Sequence, residues 1–199
     1  TLTTGLGALE DGRTAFVQAA TAGIALHLDA AVVGSVPHGV RVVATGTLDT
    51  RYGQRTVRLA ESALLVIGLD PMPEPLGSET GAATETLEGR RLRVTGVVTG
   101  SASDLADGTA VSIDDGSGPV RIIVTPEALA GRVFASGSIV TATGPLGQRD
   151  SSGTGLSGYR LFVTSAIDLV ISPAPTPTPS PTPTPTPAPT PTPSLTSTP

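Results

Sequence analysis

Residues 11–67 and 107–171 repeat each other, and this repeat restricts the possible folds more than any other feature of the chain. Asp11-Gly12 and Thr14-Ala15 match Asp107-Gly108 and Thr109-Ala110. Gly39, Val42, Ala44-Thr45-Gly46 and Leu48 match Gly137, Val140, Ala142-Thr143-Gly144 and Leu146. Leu65 and Ile67 match Leu169 and Ile171. The offset grows overall, from 96 at Asp11 to 98 at Gly39 to 104 at Leu65, so the added residues fall between matched blocks, where surface loops tolerate them. The largest increment lies in Gln148–Gly158, a stretch of mostly Gly, Ser and Asp. One unit of about 80 residues has been duplicated.

Inside each unit the hydrophobic period is two, the spacing of strands rather than helices. In the second unit Val111 and Ile113 alternate with Ser112 and Asp114, and Val120, Ile122 and Val124 alternate with Arg121 and Ile123. Asp115-Gly116-Ser117-Gly118 between them reads as a hairpin turn, because Gly accepts positive φ. Pro126 to Ala130 reads as a short helical turn, with Pro at its first position and Gly131 at its end. Val140–Gly144, Leu161–Val163 and Ile167–Ile171 alternate in turn, and Leu92–Val98 supplies the opening strand, with Gly96 marking a bulge. The order β-β-β-(short α)-β-β is that of the OB-fold, a small five-stranded barrel. In the first unit Thr14–Gln18 and Ile24–Leu28 form the hairpin pair, followed by strands over Val40–Leu48 and Arg55–Ile67. Only Leu2–Gly5 corresponds to the end of an opening strand, at Val97–Gly100. The first barrel is therefore expected to be truncated and the chain to be a fragment of a longer protein, with any signal peptide upstream.

The expected fold is all-β: an OB barrel over 1–69, an acidic Pro-containing linker over 70–89, a second barrel over 90–172, and a tail over 173–199. The linker holds Pro71, Pro73 and Pro75 and five acidic residues, with one helical turn expected over Ala82–Leu87. In the tail Pro alternates with Thr, Ser or Ala, which removes backbone donors and forbids helix and ladder alike. A disordered polyproline II spacer is expected there, reaching roughly 65 Å over Pro173–Pro193 and offering Ser/Thr-Pro sites for O-glycosylation.

Several chemistries are excluded by residue content. There is no Cys, so disulfides, thiolate metal sites and cysteine nucleophiles are ruled out. The longest apolar run, Ala63–Ile67, is too short to span a bilayer. No H-E-x-x-H or G-x-S-x-G pattern occurs. His27 alternates with Leu26 and Leu28 and is expected on the outer face of the sheet, while His38 sits in a Pro-His-Gly turn. Gly153–Gly158 fits G-x-G-x-x-G, but a strand follows it, where a dinucleotide site needs a helix. Asp104, Asp107, Asp114 and Asp115 lie beside Gly turns, and turn formation accounts for Asp107-Gly108 and Asp115-Gly116 without an ion. No cofactor, metal or catalytic residue is expected.

The motifs RLRVTGVVTG (from Arg91), DGTAVSIDDGSGPVRIIV (from Asp107) and GSIVTATGPL (from Gly137), with its twin GVRVVATGTL (from Gly39), resemble a known family. It comprises the bacterial nucleic-acid-binding OB-fold domains of secreted and cell-surface proteins, often found beside nuclease or lamin-tail domains. The resemblance covers roughly residues 9–171. It implies binding of single-stranded DNA or RNA, or of other domains of the same longer chain, without catalysis, at the bacterial cell surface or outside the cell. The chain departs from a strong nucleic-acid binder in its net charge of −5 and its 3% aromatic content.

Single-strand binding needs cations for phosphates and rings for bases. On an OB barrel the ligand lies across strands 2 and 3 and the 1-2 and 4-5 loops. The first unit offers Arg51, Tyr52, Arg55 and Arg58; the second offers Arg93, Arg121, Arg149, Tyr159 and Arg160. Two further functions compatible with the sequence are a structural spacer or protein-interaction array, and an accessory domain of an extracellular nuclease.

Overall fold

The computed structural model describes residues 1–174. The polyproline II tail expected over 173–199 lies, from residue 175 on, outside the described residues. The described chain is mostly strand. Its elements are β1 (Thr14–Gln18), β2 (Gly23–Leu28), β3 (Val40–Ala44), β4 (Thr47–Arg51), β5 (Gln54–Leu59), β6 (Leu64–Leu69), β7 (Leu76–Gly77), β8 (Arg91–Val98), β9 (Ser103–Leu105), β10 (Gly108–Asp114), β11 (Val120–Val124), α1 (Pro126–Leu129), β12 (Ile139–Gln148), β13 (Tyr159–Val163) and β14 (Leu169–Ser172).

The C-terminal half contains a closed five-stranded barrel. β8 pairs with β10, β10 with β11, β11 in parallel with β13, β13 with the end of β12, and β12 with β8. β14 continues the last barrel strand after a 3-10 turn at Ala166–Asp168 and pairs with the start of β12. Alternation builds its core: Val111, Ile113, Ile122, Val124, Val140, Ala142, Leu161 and Val163 are buried together. α1 closes one end. The Thr125 hydroxyl accepts from the Ala128 amide as N-cap, and Ala130 ends the helix in a left-handed conformation.

The N-terminal half pairs its strands in a similar order. β1 pairs with β2, β2 in parallel with β5, β5 with β4, and β3 with β6. The single strand expected over Val40–Leu48 is two strands, and the one over Arg55–Ile67 is also two, broken at the 3-10 turn Glu61–Ala63. No strand corresponds to β8 among the described residues of this half. Instead, Leu2 bridges Val17 and donates its amide to Val40 O, as Val98 pairs with Ile113 and donates to Ser138 O. Leu2, Leu6, Ala15, Leu26, Leu28, Val40 and Leu59 form this half's core.

The acidic segment read as a linker is docked. β7 pairs with β8, and Thr80 is buried with its hydroxyl donating to Asp115 at 2.8 Å. The helical turn expected over Ala82–Leu87 is replaced by two 3-10 turns, Thr80–Ala82 and Glu85–Leu87.

Candidate nucleic-acid interface

The two halves meet through the outward faces of their sheets. Phe16 of β1 stacks on Phe162 of β13 at 5.5 Å between ring centroids. Gln54 accepts from the Gln148 amide at 2.8 Å, Gln18 accepts from the Arg91 amide at 2.6 Å, and the Asp150 amide donates to Tyr52 O at 2.7 Å. Beside these contacts lies a cleft of about 370 Å³. Its walls include Leu9, Phe16, Ile123 and Phe162, and its charged lining is Glu10, Arg51, Asp107, Arg121, Arg149 and Arg160.

Local structure explains how these side chains arrive. Arg51-Tyr52-Gly53-Gln54 is a two-residue hairpin between β4 and β5, with positive φ at both Tyr52 and Gly53. Such turns match the strand twist but normally use Asn-Gly or Asp-Gly. Here the non-glycine position carries a half-exposed Tyr ring, with Arg149 4.4 Å and Arg51 5.7 Å from its centroid. Arg121 and Arg160 are register partners on the parallel strands β11 and β13. The loop after β12 is gathered around the Asp150 carboxylate, which accepts from Ser152, Ser157 and the Gly155 amide. These bonds hold its carboxyl well below the usual carboxylate range.

The ion pairing within the cleft is uneven. Arg51 donates to Glu10 at 2.5 Å, and Thr14 donates to the same oxygen at 2.8 Å. Burial raises the Glu10 pKa, but these bonds outweigh it and leave the pKa lowered. His27 lies on the outer face of its sheet, but that face is covered: its Nδ1 is 3.0 Å from Arg51 and from the Thr14 hydroxyl. Burial, then the Arg51 charge, lower its pKa. Asp107 accepts from the Glu10 amide at 2.7 Å. Arg121, Arg149 and Arg160 have no carboxylate partner among the described residues. Arg160 donates only to carbonyls, those of Gly158 and Arg149. Burial, then the charges of Arg121 and Arg149, lower its pKa.

Five of the nine candidate residues thus converge: Arg51, Tyr52, Arg121, Arg149 and Arg160. The other four lie outside the cleft. Arg55 pairs with Glu85 at 3.0 Å, and Tyr159 donates to the same carboxylate at 3.2 Å. Arg58 pairs with Asp29 at 2.7 Å, and Arg93 reaches Thr143 on the neighbouring strand. Glu10, Phe16, Ile123, Gln148 and Phe162 line the cleft without being candidates in the sequence, and Asp107, read there as a turn residue, lines it too. Ile123 and Phe162 carried a signal, since each is apolar at an outward position of an alternating strand.

Three of the four clustered aspartates accept within turns. Asp114 accepts from the Gly116 and Gly118 amides, Asp115 from Ser117 and Thr80, and Asp104 from Thr109. No helix of the described residues is long and apolar enough to cross a membrane.

No family model matches the chain, and no curated protein sequence matches it. Among solved structures it is similar to an OBody bound to hen egg-white lysozyme, at 17% identity over 50% of this chain and 95% of that one, with a TM-score of 0.37. It is also similar to a murine DNA binding protein bound with ds DNA, at 12% identity over 90% and 97%, TM-score 0.37. A third is the Stn1–Ten1 complex of S. pombe, at 14% identity over 41% and 57%, TM-score 0.31. At these TM-scores the likenesses carry no weight for function.

Proposed function

We propose that the chain is a non-enzymatic module of two tandem OB barrels, residues 1–69 and 90–172, joined by 70–89, and that it binds single-stranded nucleic acid in the cleft between them. One observation carries this reading. In a protein of net charge −5, four arginines from both halves line one cleft with only Glu10 and Asp107 opposing them, beside an exposed ring. Phosphates are met by Arg121, Arg149 and Arg160, and a base stacks on Tyr52. The setting that fits is an exported bacterial surface protein, as the family resemblance implies.

The test is fluorescence anisotropy of a labelled single-stranded oligonucleotide at low and moderate salt. Binding is expected to fall steeply with salt, because neutralised phosphates release counterions. It is expected to drop about tenfold in R121Q/R149Q and to persist in R93Q, which lies outside the cleft. No binding at low salt, or salt-insensitive binding equal in all three proteins, overturns the reading.

The spacer or protein-interaction reading has its own support. Leu65, Val66, Ile67 and Leu69 of β6 are all more than half exposed, an apolar run suited to a protein surface.

A further inference from the structure

The cleft carries more positive charge than one internal phosphate matches. Its volume of about 370 Å³ is at the low end of small-molecule sites, which run from about 300 to 1,000 Å³. Glu10 is committed to Arg51 and Thr14, so it does not neutralise the other guanidinium groups. What remains is Arg121, Arg149 and Arg160 against Asp107, whose Oδ1 already accepts from the Glu10 amide. That leaves a surplus of two positive charges. An internal phosphodiester carries one negative charge, whereas a phosphomonoester carries about 1.5 to 2 at pH 7.

The geometry matches in other respects. Arg121 and Arg160 stand side by side on adjacent strands, and Arg160 is bonded to the backbone carbonyl of Arg149 at 3.2 Å. Guanidinium groups fixed by backbone carbonyls and stacked on a ring are pre-organised for planar, multidentate recognition of phosphate oxygens. Their guanidinium donors remain largely uncommitted: Arg121 has only a 3.4 Å contact to Ser103, and Arg149 donates no side-chain hydrogen bond among the described residues. The ring open to a base is the half-exposed Tyr52, while behind the guanidinium groups Phe16 and Ile123 are buried and Phe162 is partly so.

From this arrangement we infer that the cleft is a receptor for a terminal phosphomonoester on a nucleoside, either at a strand end or on a free nucleotide. The inference rests on the nucleic-acid reading above and narrows it: the site reads an end, not the middle of a strand.

The experiment compares labelled single-stranded DNA 10-mers phosphorylated at the 5′ end, at the 3′ end, or at neither, with adenosine monophosphate as competitor. The full chain is used, with R121Q and R160Q checked for folding by circular dichroism. One phosphorylated end is expected to bind at least about tenfold more tightly than the unphosphorylated strand, and adenosine monophosphate is expected to displace it. Both variants are expected to lose the preference. R121Q alters an arginine near the rim, so the test survives if R160Q fails to fold. Equal affinity for all three oligonucleotides overturns the inference and leaves strand binding standing. Binding of adenosine monophosphate without any oligonucleotide supports the receptor and removes the strand-binding reading. Binding of neither overturns both.

Discussion

Tyr52 concentrates the conflict between folding and binding in one residue. Its φ of 51° is a left-handed conformation that costs a non-glycine residue on the order of 1 kcal/mol. A sequence selected only for the hairpin would place Asn there. Tyr52→Asn is therefore expected to keep or slightly raise the thermal midpoint while weakening oligonucleotide binding by about 1–3 kcal/mol, the worth of one base stack. Parallel melting and anisotropy titrations check this, and lost stability with unchanged affinity would assign the ring to folding. A second residue-scale prediction concerns Glu88. It is largely buried, accepts from the Arg55 amide at 2.8 Å, and leaves Oε2 without a partner. Burial raises its pKa to about 7. The folded state then holds a proton that the unfolded chain releases at lower pH, so stability falls as pH rises from about 4.5 through 7 and is flat above. Glu88→Gln is expected to remove that slope and to stabilise the protein at pH 8 by on the order of 1–2 kcal/mol. Denaturant unfolding at pH 5 and pH 8 measures it; an unchanged slope in the variant refutes the assignment. The Arg51 and Tyr52 candidacies are readable from the sequence because a cation and a ring fall together in the 4-5 loop of an OB barrel. The roles of Glu10 and Glu88 are not, since their partners Arg51 and Arg55 lie 41 and 33 residues away.

At the scale of strands, the barrel was legible wherever burial was one-sided. Val111, Ile113, Ile122, Val124, Val140 and Ala142 all reach the core that their alternation implied. Alternation does not mark a strand break that no proline or glycine pair announces. The break at Glu61–Ala63 is a 3-10 turn inside what reads as continuous alternation. The docking of residues 70–89 is not legible because the partner of Thr80, Asp115, lies 35 residues away. The two halves also differ in how their strands are flanked. β12 is paired on one edge with β8, whereas β3 has β6 on one edge and only Leu2 at the start of the other. Amides on the open edge of β3 are therefore expected to exchange with deuterium faster than those of β12 facing β8, by at least about tenfold. Residue-resolved hydrogen exchange would show it, and equal protection would mean that the β3 edge is covered in solution.

The cleft exists only because the halves are held in one orientation, and one tight approach at their junction is between Gly23 and Gly89, the last residue of the joining segment. A Cβ added to Gly23 would stand 1.9 Å from Gly89 O, and one added to Gly89 would stand 2.3 Å from the Gly23 carbonyl carbon. Gly89 also has a φ of +79°, so substitution there mixes backbone strain with the clash. Gly23 has no such complication, which makes Gly23→Ala the cleaner probe. The obstructing atoms are backbone and cannot rotate away, so the junction must open. Neither glycine lines the cleft, yet the Phe16–Phe162 stack and the Gln54–Gln148 bond depend on the same juxtaposition. Gly23→Ala is expected to leave both halves folded but uncoupled, turning one calorimetric transition into two. Oligonucleotide affinity should fall at least about tenfold, because Arg51 and Tyr52 come from one half and Arg121, Arg149 and Arg160 from the other. A single transition together with wild-type affinity would mean that the ligand is held by one half alone, and that the convergence of arginines across the junction has no part in binding.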